Sequence, residues 1–162
     1  MTQAGVNALA MVETMLSTPD VRLKGFKGKG AAWANQVRVQ LSEIHSMMRA
    51  LSQETRAVRG RDFVLTVHSR TKNGQKSLRW RLVGASSSRH VTWEAIVAQV
   101  AALPPALAQW YRQANAAAMT LNYQEMALRY ELRLAEQWQD ALRQADQAYE
   151  RHSTGAGSIR DV

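Results

Sequence analysis

The sequence of 162 residues predicts an α+β domain, mostly α-helical, in which about four helices carry one antiparallel β-hairpin. Three observations predict this class: long stretches with apolar residues at helical spacing, two short alternating segments around an Asn-Gly pair, and a run without glycine or proline over residues 106–151. A chain of this length supports one hydrophobic core. We therefore predict a single domain over residues 1–152 and a disordered tail over residues 153–162.

The first two helices are predicted from apolar residues three or four positions apart. One runs from about Gln3 to Ser17, and Pro19 ends it. The other runs from about Ala31 to Val58. Their apolar positions are Val6, Leu9, Ala10, Val12 and Leu16 in the first helix and Trp33, Val37, Leu41, Ile44, Met48 and Leu51 in the second.

The next segment changes to the period of two that is typical of strands. Two strands are predicted, at about residues 62–70 and 76–84. Asn73-Gly74 between them favours a type I′ turn, in which both central residues need a positive φ. The residues predicted to share the apolar face are Phe63, Leu65, Val67, Leu78, Trp80 and Leu82. Because a two-stranded ribbon is not stable alone in water, we expect this face to pack on the second or the last helix.

Two further helical regions follow. A short helix is predicted from about Thr92 or Trp93 to Leu103, halted by two prolines. The last region, from Ala106 to about Arg151, is predicted as one long helix or as a pair broken near residues 120–122. Its apolar residues span a wide arc and must be covered on more than one side. The second helix with the hairpin could cover it, or a second copy of the chain.

The positive charge is concentrated in the middle of the chain. The net charge is +8, yet residues 21–91 hold 15 lysines and arginines against three acids, which gives that segment +12. Such a field raises the local concentration of polyanions, of which nucleic acid is the usual one. The alternative is a basic chain without a specific polyanionic partner.

The predicted hairpin carries an unusual number of cationic side chains: His68, Arg70, Lys72, Lys76, Arg79 and Arg81. One or two charges are enough to protect a ribbon from aggregation. β-Ribbons can read DNA from a groove, and arginine suits bidentate contact with phosphate or guanine. We therefore predict that these six residues bind nucleic acid.

A second candidate is the loop Lys24–Gly30, in which Lys24, Lys27 and Lys29 alternate with glycines before a predicted helix. Glycines let backbone amides approach phosphate, and a helix N-terminus favours an anion. The loop is not a nucleotide-binding P-loop, because its glycine spacing differs and no strand precedes it. We predict that the three lysines contact the phosphate backbone; the alternative is a flexible linker.

Base stacking, catalysis and metal binding have little support in the sequence. Core packing explains Trp33 and Trp80 better than base stacking, while Trp93 and the Trp110-Tyr111 pair stay minor stacking candidates. No hydrolase or metalloprotease motif is present, and Glu94 and Glu125 are interpreted as single acids on helix surfaces. We predict no enzyme activity, no catalytic or metal site and no cofactor.

The absence of cysteine, of an export leader and of an apolar run of about 18 residues favours a cytoplasmic protein that does not enter membranes.

Several segments together resemble an uncharacterised bacterial family, a domain of unknown function encoded in integrating conjugative elements. They are FKGKG at 26–30, LRWRLVG at 78–84, HVTWE at 90–94, ALPPALAQWYRQAN at 102–115 and LNYQEMALRYEL at 121–132. The likeness spans about Lys24 to Leu142. It implies a role in the maintenance or transfer of a mobile genetic element, near its partition, single-stranded-DNA-binding and topoisomerase proteins. It offers no family activity or site residues.

The sequence-based hypothesis is a DNA-binding accessory protein of such an element, which contacts phosphates with little sequence preference. The alternative is a protein-interaction or dimerisation module that uses the apolar face of the last helix. Its partners would be replication or single-stranded-DNA-binding proteins of the element, or a second copy of the chain.

Overall fold

The computed structural model describes residues 30–84 and 89–156. In chain order the elements are α1 (Gly30–Ala57), β1 (Phe63–Ser69), β2 (Lys76–Leu82), α2 (Trp93–Ala101) and α3 (Pro105–Ala156). The mostly helical α+β class with one antiparallel hairpin is confirmed. The described residues contain three helices instead of about four, and the helix predicted over residues 3–17 lies outside them.

The last helical region is one continuous helix. α3 has 52 residues, a length of roughly 78 Å, and does not break near residues 120–122. It continues to Ala156, so the first four residues of the predicted tail are helical, while residues 157–162 lie outside the described part.

α1 and α3 pack antiparallel and form the main helical layer. Every predicted apolar position of α1 from Val37 to Leu51 is buried, which confirms the stripe. Trp33 is half-buried, and its indole Nε1 donates to Glu131 Oε1 at 2.8 Å. Further along, Arg38 Nη2 lies 2.8 Å from Glu136 Oε1. Farther along α1, His45 Nε2 lies 3.3 Å from Glu125 Oε1, earlier in α3, as antiparallel packing requires.

The register of the hairpin places the predicted apolar residues on one face. Phe63 pairs with Leu82, Leu65 with Trp80, and Val67 with Leu78. This face packs on α1 and α3, where Leu65 and Trp80 are almost completely buried. Leu82 is the exception, because it lies at the end of β2 and is 48% exposed.

The turn differs from the predicted type I′. Gly74 has a φ of 65°, but Asn73 and every other described non-glycine residue has a negative φ. A four-residue loop replaces the two-residue turn: the Arg70 N–H donates to Gln75 O at 2.9 Å, and the Gly74 N–H donates to Arg70 O at 2.9 Å. Arg129 of α3 donates to the carbonyls of residues 73 and 74 and fixes this loop.

Side chains of the helices satisfy the open edge of β1. The Leu65 N–H donates to Thr55 Oγ1 at 3.0 Å, and Ser52 Oγ donates to Leu65 O at 2.8 Å. The Tyr111 hydroxyl of α3 accepts the Phe63 N–H at 3.2 Å and donates to Phe63 O at 3.1 Å. An edge that would otherwise be open is thus tied to both long helices.

The open edge of β2 is satisfied in the same way. Asn122 of α3 accepts the Leu78 N–H at 2.7 Å and donates to Leu78 O at 3.1 Å. The Lys76 N–H donates to Glu125 Oε1 at 3.0 Å. Near the start of α2, the Val91 N–H donates to Trp80 O at 3.0 Å. The hairpin is therefore hydrogen-bonded to its support along both edges.

α2 covers the open end of the core. Thr92 caps it by accepting the Ala95 N–H, as the predicted start requires, and Ile96 and Val100 point into the core. The helix ends at Ala101, two residues before the predicted end.

No helix in the described ranges is long and apolar enough to span a membrane.

Replacing the buried Thr55 with valine keeps its shape but removes the acceptor for the Leu65 N–H. We expect Thr55→Val to lower the free energy of unfolding by about 1 to 3 kcal/mol, because a buried donor is left without a partner. Urea unfolding followed by circular dichroism measures this. Thr120→Val is the matched control, since that hydroxyl contacts only Ala116 O on the exposed side of α3. Equal effects of the two substitutions would contradict the role given to the edge hydrogen bonds.

Candidate nucleic-acid interface

The hairpin presents a basic face opposite the one that packs on the helices. His68, Arg79 and Arg81 lie on this outer face, where Arg79 pairs with Thr66 and Arg81 with Val64 across the strands. All three side chains are half-buried. The structure therefore brings these three predicted residues together.

The other predicted hairpin residues lie elsewhere. Arg70 and Lys72 are exposed at the loop end of the ribbon. Lys76 lies near the turn, where strand alternation places it on the same side as Leu78 and Trp80. Lys76 thus belongs to the contact between hairpin and helices and not to the basic outer face.

The predicted lysine loop, with Lys24, Lys27 and Lys29, lies outside the described residues. The first described residue, Gly30, precedes Arg49 on α1 by roughly 28 Å of helix.

An open groove runs between α1 and the hairpin, with a volume of about 380 Å³. Its lining residues are Arg49, Ser52, Gln53, Arg56, Thr66, Val67 and Arg81. Arg49 and Arg56 were not predicted as site residues, although their spacing of seven places them on one side of α1. That spacing is visible in the sequence, but the position of the hairpin beside it is not.

The groove is positively charged and contains no carboxylate among its lining residues. Arg49 Nη2 donates to Ser46 Oγ at 3.0 Å, and within the described residues neither Arg49 nor Arg56 forms an ion pair. By contrast, Arg38 and Arg129 have acidic partners on α3. Arg49 and Arg56 therefore keep their charge available for an anion.

The chemistry of the groove suits phosphate. Guanidinium groups donate in a planar fork that matches two phosphate oxygens, and Gln53 adds an exposed polar side chain. Ser52 contributes less, because its hydroxyl already donates to Leu65 O. The groove is a shallow, open surface that can follow a phosphate backbone.

Two histidines lie beside the arginines of the outer face. The ring centroids of His68 and His90 are 5.2 Å apart, at an angle of 77°. Burial lowers the pKa of His90, and the positive charges of Arg79, His68 and Arg81 lower it further. His90 Nδ1 is buried and has no hydrogen-bond partner among the described residues. A bound anion would oppose these charges and favour protonation of His90.

The interpretation of Glu125 as an acid on a helix surface is wrong. Its side chain is completely buried. Its Oε1 accepts from Arg129 Nη2 at 2.7 Å, lies 3.3 Å from His45 Nε2, and also accepts the Lys76 N–H. Burial lowers the pKa of His45, and its hydrogen bond with Glu125 opposes that effect. The carboxylate thus joins α1, α3 and the loop end of the hairpin.

The aromatic residues are mainly structural. Trp80, Trp110 and Tyr111 are buried, so core packing of Trp80 is confirmed and base stacking by the Trp110-Tyr111 pair is wrong. Trp93 is half-buried, with its ring centroid 6.1 Å from that of Trp80.

Residues 30–84 and 89–156 contain no group of three or more His, Asp or Glu side chains placed to hold a metal ion. The chain matches no protein-family model, no curated protein and no solved structure.

The environment of His90 predicts a measurable titration. We expect its pKa, followed by NMR of the imidazole C–H groups, to lie below the ordinary value of about 6.5. Arg79→Gln should raise that pKa toward the ordinary value, because it removes one neighbouring positive charge. Arg112→Gln, a charge change on the exposed surface of α3, should leave it unchanged. If the pKa of His90 were the same in the wild type and in Arg79→Gln, this would contradict the described electrostatics.

Proposed function

We propose that this protein binds nucleic acid, with DNA as the expected form, through its phosphate backbone. The contact surface is the groove together with the basic outer face of the hairpin. The observation that carries the proposal is the meeting of Arg49, Arg56 and Arg81, from α1 and β2, in one open groove without a lining carboxylate. Neighbouring guanidinium groups repel one another, and a bound polyanion offsets that repulsion.

The type of contact follows from the lining residues. None of them is aromatic, so the groove has no platform on which bases could stack. Arginine forks and polar side chains can bind phosphate oxygens of any sequence. We therefore expect low sequence specificity and a strong dependence on salt.

The basic surface has the length of a short DNA segment. From the level of Arg81, which pairs with Val64, the ribbon continues to Arg70, roughly 20 Å at strand spacing. Roughly six base pairs of B-DNA occupy that length. Arg70 and Lys72 at the exposed loop end extend the positive surface in the same direction.

The biological setting of the proposal comes from the resemblance to a family encoded in integrating conjugative elements. An accessory protein that coats or bridges element DNA without reading its sequence fits that setting. Its location would be the cytoplasm, where the element is replicated and processed.

Charge reversal tests the proposal. We expect Arg79→Glu with Arg81→Glu to weaken binding to labelled single- or double-stranded oligonucleotides at least tenfold, and to reduce the slope of log affinity against log salt by roughly one per lost phosphate contact. Fluorescence anisotropy between roughly 50 and 200 mM salt measures both quantities.

Arg112→Glu with Arg143→Glu is the matched control, since it makes the same change in net charge on α3, outside the lining of the groove. Equal losses in both double variants would show that only the total charge matters. Wild-type binding that is absent, or independent of salt, would refute the proposal.

A second candidate function is self-association through α3. Five large apolar side chains are exposed at successive helical turns: Met119, Tyr123, Met126, Tyr130 and Leu134. Such a stripe fits the same stripe of a second copy, because it contains no charge that would repel its equivalent. Light scattering of the wild type and of Met126→Asp with Tyr130→Asp distinguishes a dimer that the substitutions dissociate from a monomer.

A further inference from the structure

A short segment before α2 widens the basic outer face of the hairpin. Val91 forms an antiparallel bridge with Trp80 at the edge of β2, and its side chain packs against the core. Because neighbouring residues of an extended backbone point to opposite faces, His90 lies on the outer side of this edge. Its ring contact agrees with that position, since its centroid is 5.2 Å from the centroid of His68. Two histidines from different segments therefore meet beside the arginines of β2.

The charged side chains that act on His90 are all cationic: Arg79 and Arg81 from β2 and His68 from β1. Burial lowers the pKa of His90 most, and these three positive charges lower it further. Arg89, which precedes it in the chain, is exposed. The acid nearest in sequence, Glu94 in the first turn of α2, is also exposed. Within the described residues, no acidic side chain offsets the positive charges around this imidazole.

The hydrogen bonding of His90 also disfavours its charged form in the free protein. Its Nδ1 is buried and has no partner among the described residues. A protonated imidazole donates from both nitrogens, so protonation here leaves a buried donor without an acceptor and adds a cation to a cationic cluster. A phosphate group on the outer face would offset the electrostatic part of this cost, because it places an opposite charge beside the imidazole.

We propose that nucleic acid binds to this face with uptake of one proton from solvent by the His90 imidazole, so that binding becomes stronger in mildly acidic solution. This inference rests on the proposed function, because it needs phosphates on the outer face of the hairpin. Arg79 and Arg81 stay charged over the whole range, so they alone would give binding that hardly changes with pH.

The sign of the effect follows from the two states of His90. Its pKa is below the ordinary value in the free protein and is raised by phosphate in the complex. Affinity is therefore highest below the free pKa, falls as the pH rises toward the pKa in the complex, and is constant above it. Each unit of difference between the two pKa values changes the affinity tenfold.

Fluorescence anisotropy with a labelled DNA duplex, at constant ionic strength and at about pH 5.5 and about pH 8, tests this coupling. We expect the wild type to bind roughly fivefold or more tightly at the lower pH. His90→Gln should bind with the same affinity at both pH values. His152→Gln is the matched control, because it removes an exposed histidine near the end of α3 and should keep the pH dependence of the wild type.

NMR of the imidazole C–H groups in the wild type gives a second readout, which does not depend on the folding of a variant. The pKa of His90 should be higher with an unlabelled duplex than without it. An unchanged pKa, equal affinity of the wild type at both pH values, or a pH dependence that survives in His90→Gln would overturn this inference and leave the proposed function standing. Absence of wild-type binding at either pH would overturn both.

Discussion

A two-stranded ribbon exposes two edges of unpaired backbone groups, and this protein satisfies both edges with side chains of its long helices. Thr55, Ser52 and Tyr111 bind the β1 edge, while Asn122 and Glu125 bind the β2 edge. These hydrogen bonds fix where the hairpin lies and how it is rotated. The apolar face must then point at the core, and the arginines of the other face must point away from it.

That placement explains how the groove forms. Ser52 holds β1 against α1, so the polar side of α1 that carries Arg49 and Arg56 comes beside the outer face of the ribbon. Residues that are far apart in the chain thereby become one positive surface. Because the edges are bound to the helices, strand addition is not available to a partner there.

Much of the fold could be predicted from the sequence, because period and composition determine which face of an element is apolar. The α1 stripe and the shared apolar face of Leu65 and Trp80 are examples. The type of turn could not be predicted from Asn73-Gly74, since Arg129, distant in sequence, holds the carbonyls of a longer loop. The burial of Glu125 could not be predicted either, because the hairpin and α1, which contact it, are distant from it in sequence.

The candidate site was predicted only in part. Strand alternation correctly placed His68, Arg79 and Arg81 on one face, and the same alternation puts Lys76 on the other. Arg49 and Arg56 join the site only through the contact between α1 and β1, which sequence spacing cannot reveal. A ¹H–¹⁵N NMR titration with a short DNA duplex tests most directly whether the groove binds DNA. We expect the amide signals of Gln53, Thr66 and Arg81 to shift first; shifts confined to the exposed stripe of α3, or none at all, would show that the groove is not the binding surface.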